Sequence, residues 1–340
     1  MYSKIIKDIK NKYGAKLAIL GHHYQSDEII QHTDLKGDSL ELARQIGNLD
    51  AEYIVFCGVH FMAESAAILR KENQKIFIPD KSAGCVMANM APADLVEKII
   101  EKISRQTGKK VIPLAYVNTP AAVKAVCGKY DGSVCTSANA VTMMKWALEK
   151  GDSVLFLPDK NLAMNTADKL GLDETERYEM DIRNCGDKID MNSASKARLI
   201  MWPGLCPIHQ RFKIKDIDHF RTKFPEAKIA VHPECPPELV KKSDADGSTS
   251  FLIKYVEQAP DGATIVIGTE TNLVDRLAAK YKNKTILPLG QSFCSNMAKI
   301  TEKNLAELLQ NIETFNEEDV DDNIRIPARK ALERMLEACS

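Results

Sequence analysis

Apolar residues in this chain gather in short runs, separated by segments with a different period. KLAIL, EYIVF, KIFIP, KVIPLAYV, SVLFLP, RLIMW, KIAVH, TIVIG and KTILPL are nearly continuous apolar stretches of five to eight residues. Between many of them lie DSLELARQIG, ADLVEKIIEKI, NAVTMMKWALEKG, NLVDRLAAKYK and NLAELLQNIE, whose apolar residues recur at helical spacing. Buried-type strands alternating with amphipathic helices predict an α/β fold with parallel sheets covered on both faces. In such sheets functional side chains collect past the carboxyl ends of the strands. The polar clusters obey that rule: GHHYQS follows KLAIL, YVN ends the fourth run, HPE ends KIAVH, and GTETN follows TIVI.

A weak internal repeat adds organisation. KIFIPDKSAGC and SVLFLPDKNLA share an apolar-Pro-Asp-Lys ending, and LIMWPGLC resembles ILPLGQSFC. The pattern predicts three similar units, at 1–86, 87–206 and 207–297, with the C-terminal helices of 298–340 packing back on the first. Residues 169–198 are polar and poor in strand or helix signals, as expected of an insertion or surface excursion. PARKALERMLEACS reads as a terminal amphipathic helix.

Composition narrows the function classes. The 340 residues are 44% hydrophobic and 27% charged, ordinary for a globular protein with two or three cores. A net charge of −1 supplies no basic field, so nucleic acid is not an expected partner. MYSKIIKDIKNKYG has no apolar core of a signal peptide, and no run approaches a bilayer span. A membrane is therefore not an expected partner, and nine cysteines without an export signal point to a reducing cytoplasm, where thiols serve metals or chemistry. No GxGxxG, GxxxxGK[ST] or GxSxG occurs, so dinucleotide, P-loop and esterase chemistry lose their usual support.

Three cysteines stand out by position. Cys85, Cys206 and Cys294 each follow an apolar run, in a turn containing Pro or Gly, with 120 and 87 residues between them. If they meet, three similar units must bring them together. Three thiolates are one short of the usual four around an iron–sulfur cube. The uncapped iron would be a Lewis acid open to substrate, which suits an enzyme better than an electron carrier.

Other candidates cluster at strand ends. Gly21 lets the chain turn so that His22, His23 and Tyr24 can reach a cleft. Zinc is the rival use of the imidazoles, but no HxH or HxxxH spacing occurs. Tyr116 and Asn118, two apart, point to one side. Ser39, Ser137, Ser248 and Thr249 lie at helix starts, where a hydroxyl and free N–H groups can cap the helix or hold an anion. His209 forms a Cys-x-x-His pair with Cys206, half of a zinc site without a second half. His232 and Glu234 flank Pro233 on one side of an extended segment, an arrangement suited to proton transfer. Cys57, Cys127, Cys135, Cys185 and Cys235 are expected to be mainly small buried hydrophobes, with only Cys235 near a site, and Cys339 is expected to be incidental.

These pieces resemble the quinolinate synthase family in the family's own order: GHHYQ, GDSLELA, VFCGVHFMAESAAIL, PDKSAGC, YVNTPAAVKA, VCTSANA, WPGLCPIH, VHPEC, DADGSTSFLI, GTETNLV and LPLGQSFCSNM. The resemblance implies αβα units around a pseudo-threefold axis, with the active site at the centre. Each unit would give one cysteine, Cys85, Cys206 or Cys294, to a [4Fe-4S] cluster with one iron open to substrate. It implies condensation of iminoaspartate with dihydroxyacetone phosphate to quinolinate, phosphate and two waters, in cytoplasmic NAD biosynthesis. An L-aspartate oxidase or aspartate dehydrogenase would supply the iminoaspartate. By the same resemblance His22, Ser39, Tyr116, Asn118, Ser137, His209, His232, Ser248 and Thr249 line the substrate pocket. Tyr24 and Glu234 are the candidates for proton transfer. Some family members carry CxxCxxC at the last cysteine, whereas Cys294 here has no such neighbours. Two rivals remain: a zinc-dependent aldolase or hydratase using His22, His209 and His232, and a cluster-based electron-transfer or iron-sensing protein.

Overall fold

The computed structural model describes residues 1–315 and 317–339. It is an α/β structure with three wholly parallel sheets. The first contains β1 (Leu17–His22), β2 (Leu35–Gly37), β3 (Tyr53–Cys57) and β4 (Lys75–Phe77), in the order β2-β1-β3-β4. The second contains β5 (Val111–Tyr116), β6 (Ser133–Cys135), β7 (Ser153–Leu157), β8 (Arg177–Glu179) and β9 (Leu199–Met201), ordered β6-β5-β7-β9-β8. The third contains β10 (Lys228–Val231), β11 (Ala245–Asp246), β12 (Thr264–Gly268) and β13 (Thr285–Pro288), ordered β11-β10-β12-β13.

All nine apolar runs form strands. The four strands not expected, β2, β6, β8 and β11, have two or three residues each and lie on sheet edges. So short an element leaves no periodicity to read. Strand β8 comes from the polar stretch after residue 169, so that insertion extends the second sheet rather than wandering over a surface.

The chain divides into two compact bodies. One comprises Met1–Cys85, Arg211–His232 and Lys242–Val320, and holds the first and third sheets. The other comprises Val86–Gln210, Pro233–Lys241 and Asp321–Ser340, and holds the second. Apolar faces of the helices cover the strands. In Ala93–Thr107, Val96, Ile99, Ile100 and Ile103 are buried at helical spacing, and Gly108 ends the helix in a left-handed conformation at φ 71°.

The C-terminal helices do not both lie on the first unit. Glu302–Gln310 packs on Tyr2–Tyr13 there, but Asp322–Ala338 packs on Ala121–Lys129 and β6 of the second body. Two residues explain that placement. A Cβ at Gly128 would lie 1.8 Å from the Pro327 carbonyl oxygen, so only glycine admits the approach. The Ser133 hydroxyl donates to the Ala331 carbonyl at 3.0 Å.

In each sheet the chain leaves its second-ranked strand (β1, β5 or β10) for one edge and then returns to build the other side. The carboxyl ends of these strands are topological switch points, where open α/β sheets bind ligands.

Candidate functional site

Strand register gives the three sheets a common frame. Leu17 pairs with Tyr53, Val111 with Ser153, and Lys228 with Ile265, one residue into β12. Counted from these pairs, His22, Tyr116 and His232 occupy one position at the end of the switch-point strand. Tyr24, Asn118 and Glu234 share the position two residues on. The edge pairs Leu20–Leu35, Leu114–Ser133 and Ala230–Ala245 likewise put Ser39, Ser137 and Thr249 at one position. Thirteen of the fourteen candidate site residues thus fall into these sets or among the cysteines and their neighbours. Ser248 is spent locally: its hydroxyl accepts from Phe251 N–H at 3.3 Å and caps its own helix.

The cysteines show the same order. Their turns differ in length, yet each is held by one repeated backbone bond. His60 N–H donates to Ala83 O at 2.8 Å, Lys160 N–H to Gly204 O at 2.9 Å, and Thr271 N–H to Ser292 O at 2.9 Å. The donor is each time the first residue of the helix after β3, β7 or β12, and the acceptor lies two residues before Cys85, Cys206 or Cys294. Each cysteine is then followed at the same distance by a 3₁₀ turn: Ala88–Met90, His209–Arg211 and Met297–Lys299. All three thiols are partly exposed, whereas Cys57, Cys127, Cys135 and Cys235 are buried, and Cys185, expected to be buried, is exposed. Burial pushes Cys57 and Cys127 up to about 12 and Cys135 well above the usual thiol range, as befits inert core residues.

The PDK repeat seen in sequence is not structural. Pro79-Asp80-Lys81 follows β4, while Pro158-Asp159-Lys160 follows β7, which corresponds to β3. The true counterparts of Asp159 are Val59 and Glu270, each the N-cap of the equivalent helix.

In the first body the candidates converge. Lys299 Nζ, past Cys294, donates to Ser82 O, before Cys85, at 2.6 Å, so these two turns touch. Gln25 Nε2 donates to Met297 O at 3.3 Å and ties the GHHYQS loop to the Cys294 turn. The Tyr24 hydroxyl lies 2.7 Å from Thr269 Oγ1 and 3.3 Å from Thr249 Oγ1. His22 is buried and its ring meets Tyr24 edge-on at 4.7 Å, with Nδ1 accepting from Tyr24 N–H at 3.2 Å. His23 does not join them. It turns to Glu41, whose carboxyl that bond lowers to about 2. Glu270, missed in the sequence, is raised to about 7 by burial.

In the second body Cys206, His209 and Glu234 offer ligand atoms within 4.8 Å of one another. His209 Nδ1 and Glu234 Oε2 are 2.8 Å apart and both side chains are 2% exposed. His209 is therefore an imidazole partner of Glu234 that the sequence, which pointed to adjacent His232, did not reveal. With Nδ1–H donating to the carboxylate, a neutral His209 keeps Nε2 unprotonated and able to accept a proton. Helix Lys160–Leu170 pins the turn carrying Glu234. Asn161 Nδ2 donates to Glu234 O at 3.1 Å, and Asn165 Nδ2 to Pro233 O and Cys235 O at 2.8 and 2.9 Å. Burial, reinforced by the Glu234 charge, pushes Asp159 well above the carboxylate range.

Three polar groups here and in the first body await partners. Asn118 Oδ1 is buried without a hydrogen bond, and among the described residues the Ser39 and Ser137 hydroxyls have no partner. Asp38 and Asn139 take the helix-start positions instead, Asp38 through a bond from Glu41 N–H at 3.0 Å.

Thr269, Asp159, Glu270, Asn161 and Asn165 escaped sequence reading. Only the GTETN cluster and the second PDK motif touched any of them, and their roles depend on partners distant in sequence. The described residues form no helix long and apolar enough to cross a membrane.

Comparison with known proteins gives the family. The profile of the family described as quinolinate synthetase A protein matches residues 4–337. The quinolinate synthase of Corynebacterium glutamicum is 42% identical over 97% of this chain and 86% of that protein. That of Acidobacterium capsulatum is 41% identical over 96% and 90%, and that of Bacillus cereus strain B4264 is 41% identical over 98% and 92%. Three parallel sheets with their polar strand ends in one register, matched from end to end by this profile and these relatives, place the chain in the quinolinate synthetase A family of enzymes.

Proposed function

We propose that this chain condenses iminoaspartate with dihydroxyacetone phosphate, giving quinolinate, phosphate and two waters, with a [4Fe-4S] cluster held by Cys85, Cys206 and Cys294. The observation that carries this reading is the repeated backbone bond that presents each of the three partly exposed thiols from an equivalent turn. When bound, the cluster would supply a Lewis-acidic iron without a protein thiolate. The chain is then three related units with boundaries near 86 and 206, acting in NAD biosynthesis in the cytoplasm. An enzyme that makes iminoaspartate by oxidising aspartate serves as its functional partner.

The chain's own residues divide the remaining work. Ser39, Ser137 and Thr249 recur at one position, with His22, Tyr116 and His232 at another, and supply hydroxyl and imidazole groups for two carboxylates and a phosphate. Ser248 supports Thr249 by capping the helix that carries it. Buried Asn118 Oδ1 accepts from a substrate N–H or O–H, a role its unfilled lone pairs favour. Glu234 and His209 move protons as a buried, directly hydrogen-bonded imidazole–carboxylate pair. Tyr24, between two threonine hydroxyls, has a directed phenolic proton to give.

A second reading, a single zinc on Cys206, His209 and Glu234, is favoured by the closeness of their ligand atoms. Ligands to different irons of a cluster need not approach so closely, and the 2.8 Å His209–Glu234 contact is that of a hydrogen-bonded pair. Anaerobic reconstitution with iron, sulfide and thiol, followed by turnover of the two substrates, tests the proposal. Activity should follow iron loading, and full activity in iron-free protein would overturn it.

A further inference from the structure

The cysteine turns are held by more than backbone. In two of the three repeats the N-cap residue of the neighbouring helix is a buried carboxylate that bridges the helix and the cysteine. Asp159 Oδ1 accepts from Leu162 N–H at 2.8 Å, and its Oδ2 accepts from Cys206 N–H at 3.2 Å. Glu270 Oε2 accepts from Asn272 N–H at 2.8 Å, and its Oε1 accepts from Cys294 N–H at 3.4 Å. Both side chains are fully buried. They lie in different bodies and differ by a methylene, yet make the same pair of bonds. The third repeat has Val59 at this position, which can make neither.

Capping alone does not account for this. A serine or asparagine caps a helix without burying a carboxyl group, a costly choice unless both oxygens are used. Here the second oxygen of each accepts from the peptide N–H of a cysteine, and Glu270 Oε1 accepts from Asn272 Nδ2 at 3.2 Å as well. That bond anchors the peptide plane that leads into the cysteine and occupies its N–H.

We infer that Asp159 and Glu270 are positioning residues that hold Cys206 and Cys294 ready to ligate, a role that Val59, at the equivalent position before Cys85, cannot take. The inference rests on the cluster reading proposed above. Asp159→Asn and Glu270→Gln preserve shape but set an amide NH₂ against one of the two N–H donors, so one bond of each pair is lost. The freed cysteine N–H can then turn toward sulfur, and hydrogen bonds to sulfur raise the reduction potential of a cluster.

Both variants and wild type would be reconstituted anaerobically, then followed for iron and sulfide content, loss of visible absorption in air, and reduction potential. Each variant should lose its cluster about 10- to 100-fold faster than wild type, the usual effect of removing a group that orients a metal ligand. Its potential should rise. Asp321→Ala, which removes the cap of Asp322–Ala338 without touching a cysteine, should change neither. Cluster lifetime and potential equal to wild type in both carboxylate variants would overturn the positioning role while leaving the cluster reading intact. Wild type that takes up no iron and sulfide would overturn the cluster reading, and this inference with it. The two sites lie in different bodies, so if one variant fails to fold the other still decides.

Discussion

The turn carrying Cys85 and the turn carrying Cys206 share a backbone and differ in chemistry. Both receive the same bond from the first residue of a helix, and both run into a 3₁₀ turn at the same offset. The Cys206 turn adds a buried carboxylate, Asp159, on its N–H and a buried imidazole, His209, three residues on. The Cys85 turn has Val59 and Ala88 in those places. The scaffold thus repeats the placement of a thiol, while the imidazole three residues on stands beside Cys206, with Ala88 and Met297 at that offset in the other two turns. The same division appears at the position two past the switch-point strands, where Tyr24, Asn118 and Glu234 put a phenol, an amide and a carboxylate on one frame.

Breaking the shared feature should have the largest effect. Cys85→Ser, Cys206→Ser and Cys294→Ser should each lose the brown colour and the activity after anaerobic reconstitution, whereas Cys185→Ser should keep both. If Cys85→Ser retained a full metal complement, the two turns would not serve one group, and a single ion on Cys206, His209 and Glu234 would be the better account.

Removing the feature found in one copy should be severe but separable. Glu234→Gln should lower turnover by about 10²-fold or more, the contribution of a positioned acid or base, with iron content unchanged. Tyr24→Phe should behave alike, because it removes only the phenolic proton. Steady-state kinetics on reconstituted variants will show this, and near-normal turnover in both would take these residues out of the proton path.

Packing of the second body can be probed apart from the chemistry. Gly128→Ala should destabilise that body by about 1–3 kcal/mol, because its Cβ has no room beside the Pro327 carbonyl. Thermal unfolding of the metal-free protein reads the change, and an unaltered melting temperature would contradict the close helix contact.

The smallest test compares cysteines. In native metal-free protein, Cys85, Cys206 and Cys294 should alkylate readily, being partly exposed. Cys57 and Cys127, buried and raised to about 12, should react only on unfolding. Mass spectrometry after a short iodoacetamide pulse distinguishes them, and early labelling of Cys57 would break the division.

Much of this was legible in the sequence, for physical reasons. A buried parallel strand needs a continuous apolar run, so all nine such runs could be read, and the polar clusters at their ends marked the switch points. Edge strands β2, β6, β8 and β11 carry too few residues for a pattern. The three-residue likeness of the PDK motifs misled because similarity of side chains is not similarity of register. Asp159 and Glu270 were hidden because each acts on a cysteine far along the chain, across a turn no local pattern describes. The packing of Asp322–Ala338 on the second body likewise depends on Gly128, a residue whose value lies in lacking a side chain.

Metal and sulfide analysis of the anaerobically reconstituted protein, taken with its visible spectrum, tests the central claim most directly. Three equivalent cysteine turns serving one cluster predict a brown protein with about four irons and four sulfides per chain. A colourless protein holding one zinc per chain, with no sulfide, would contradict it.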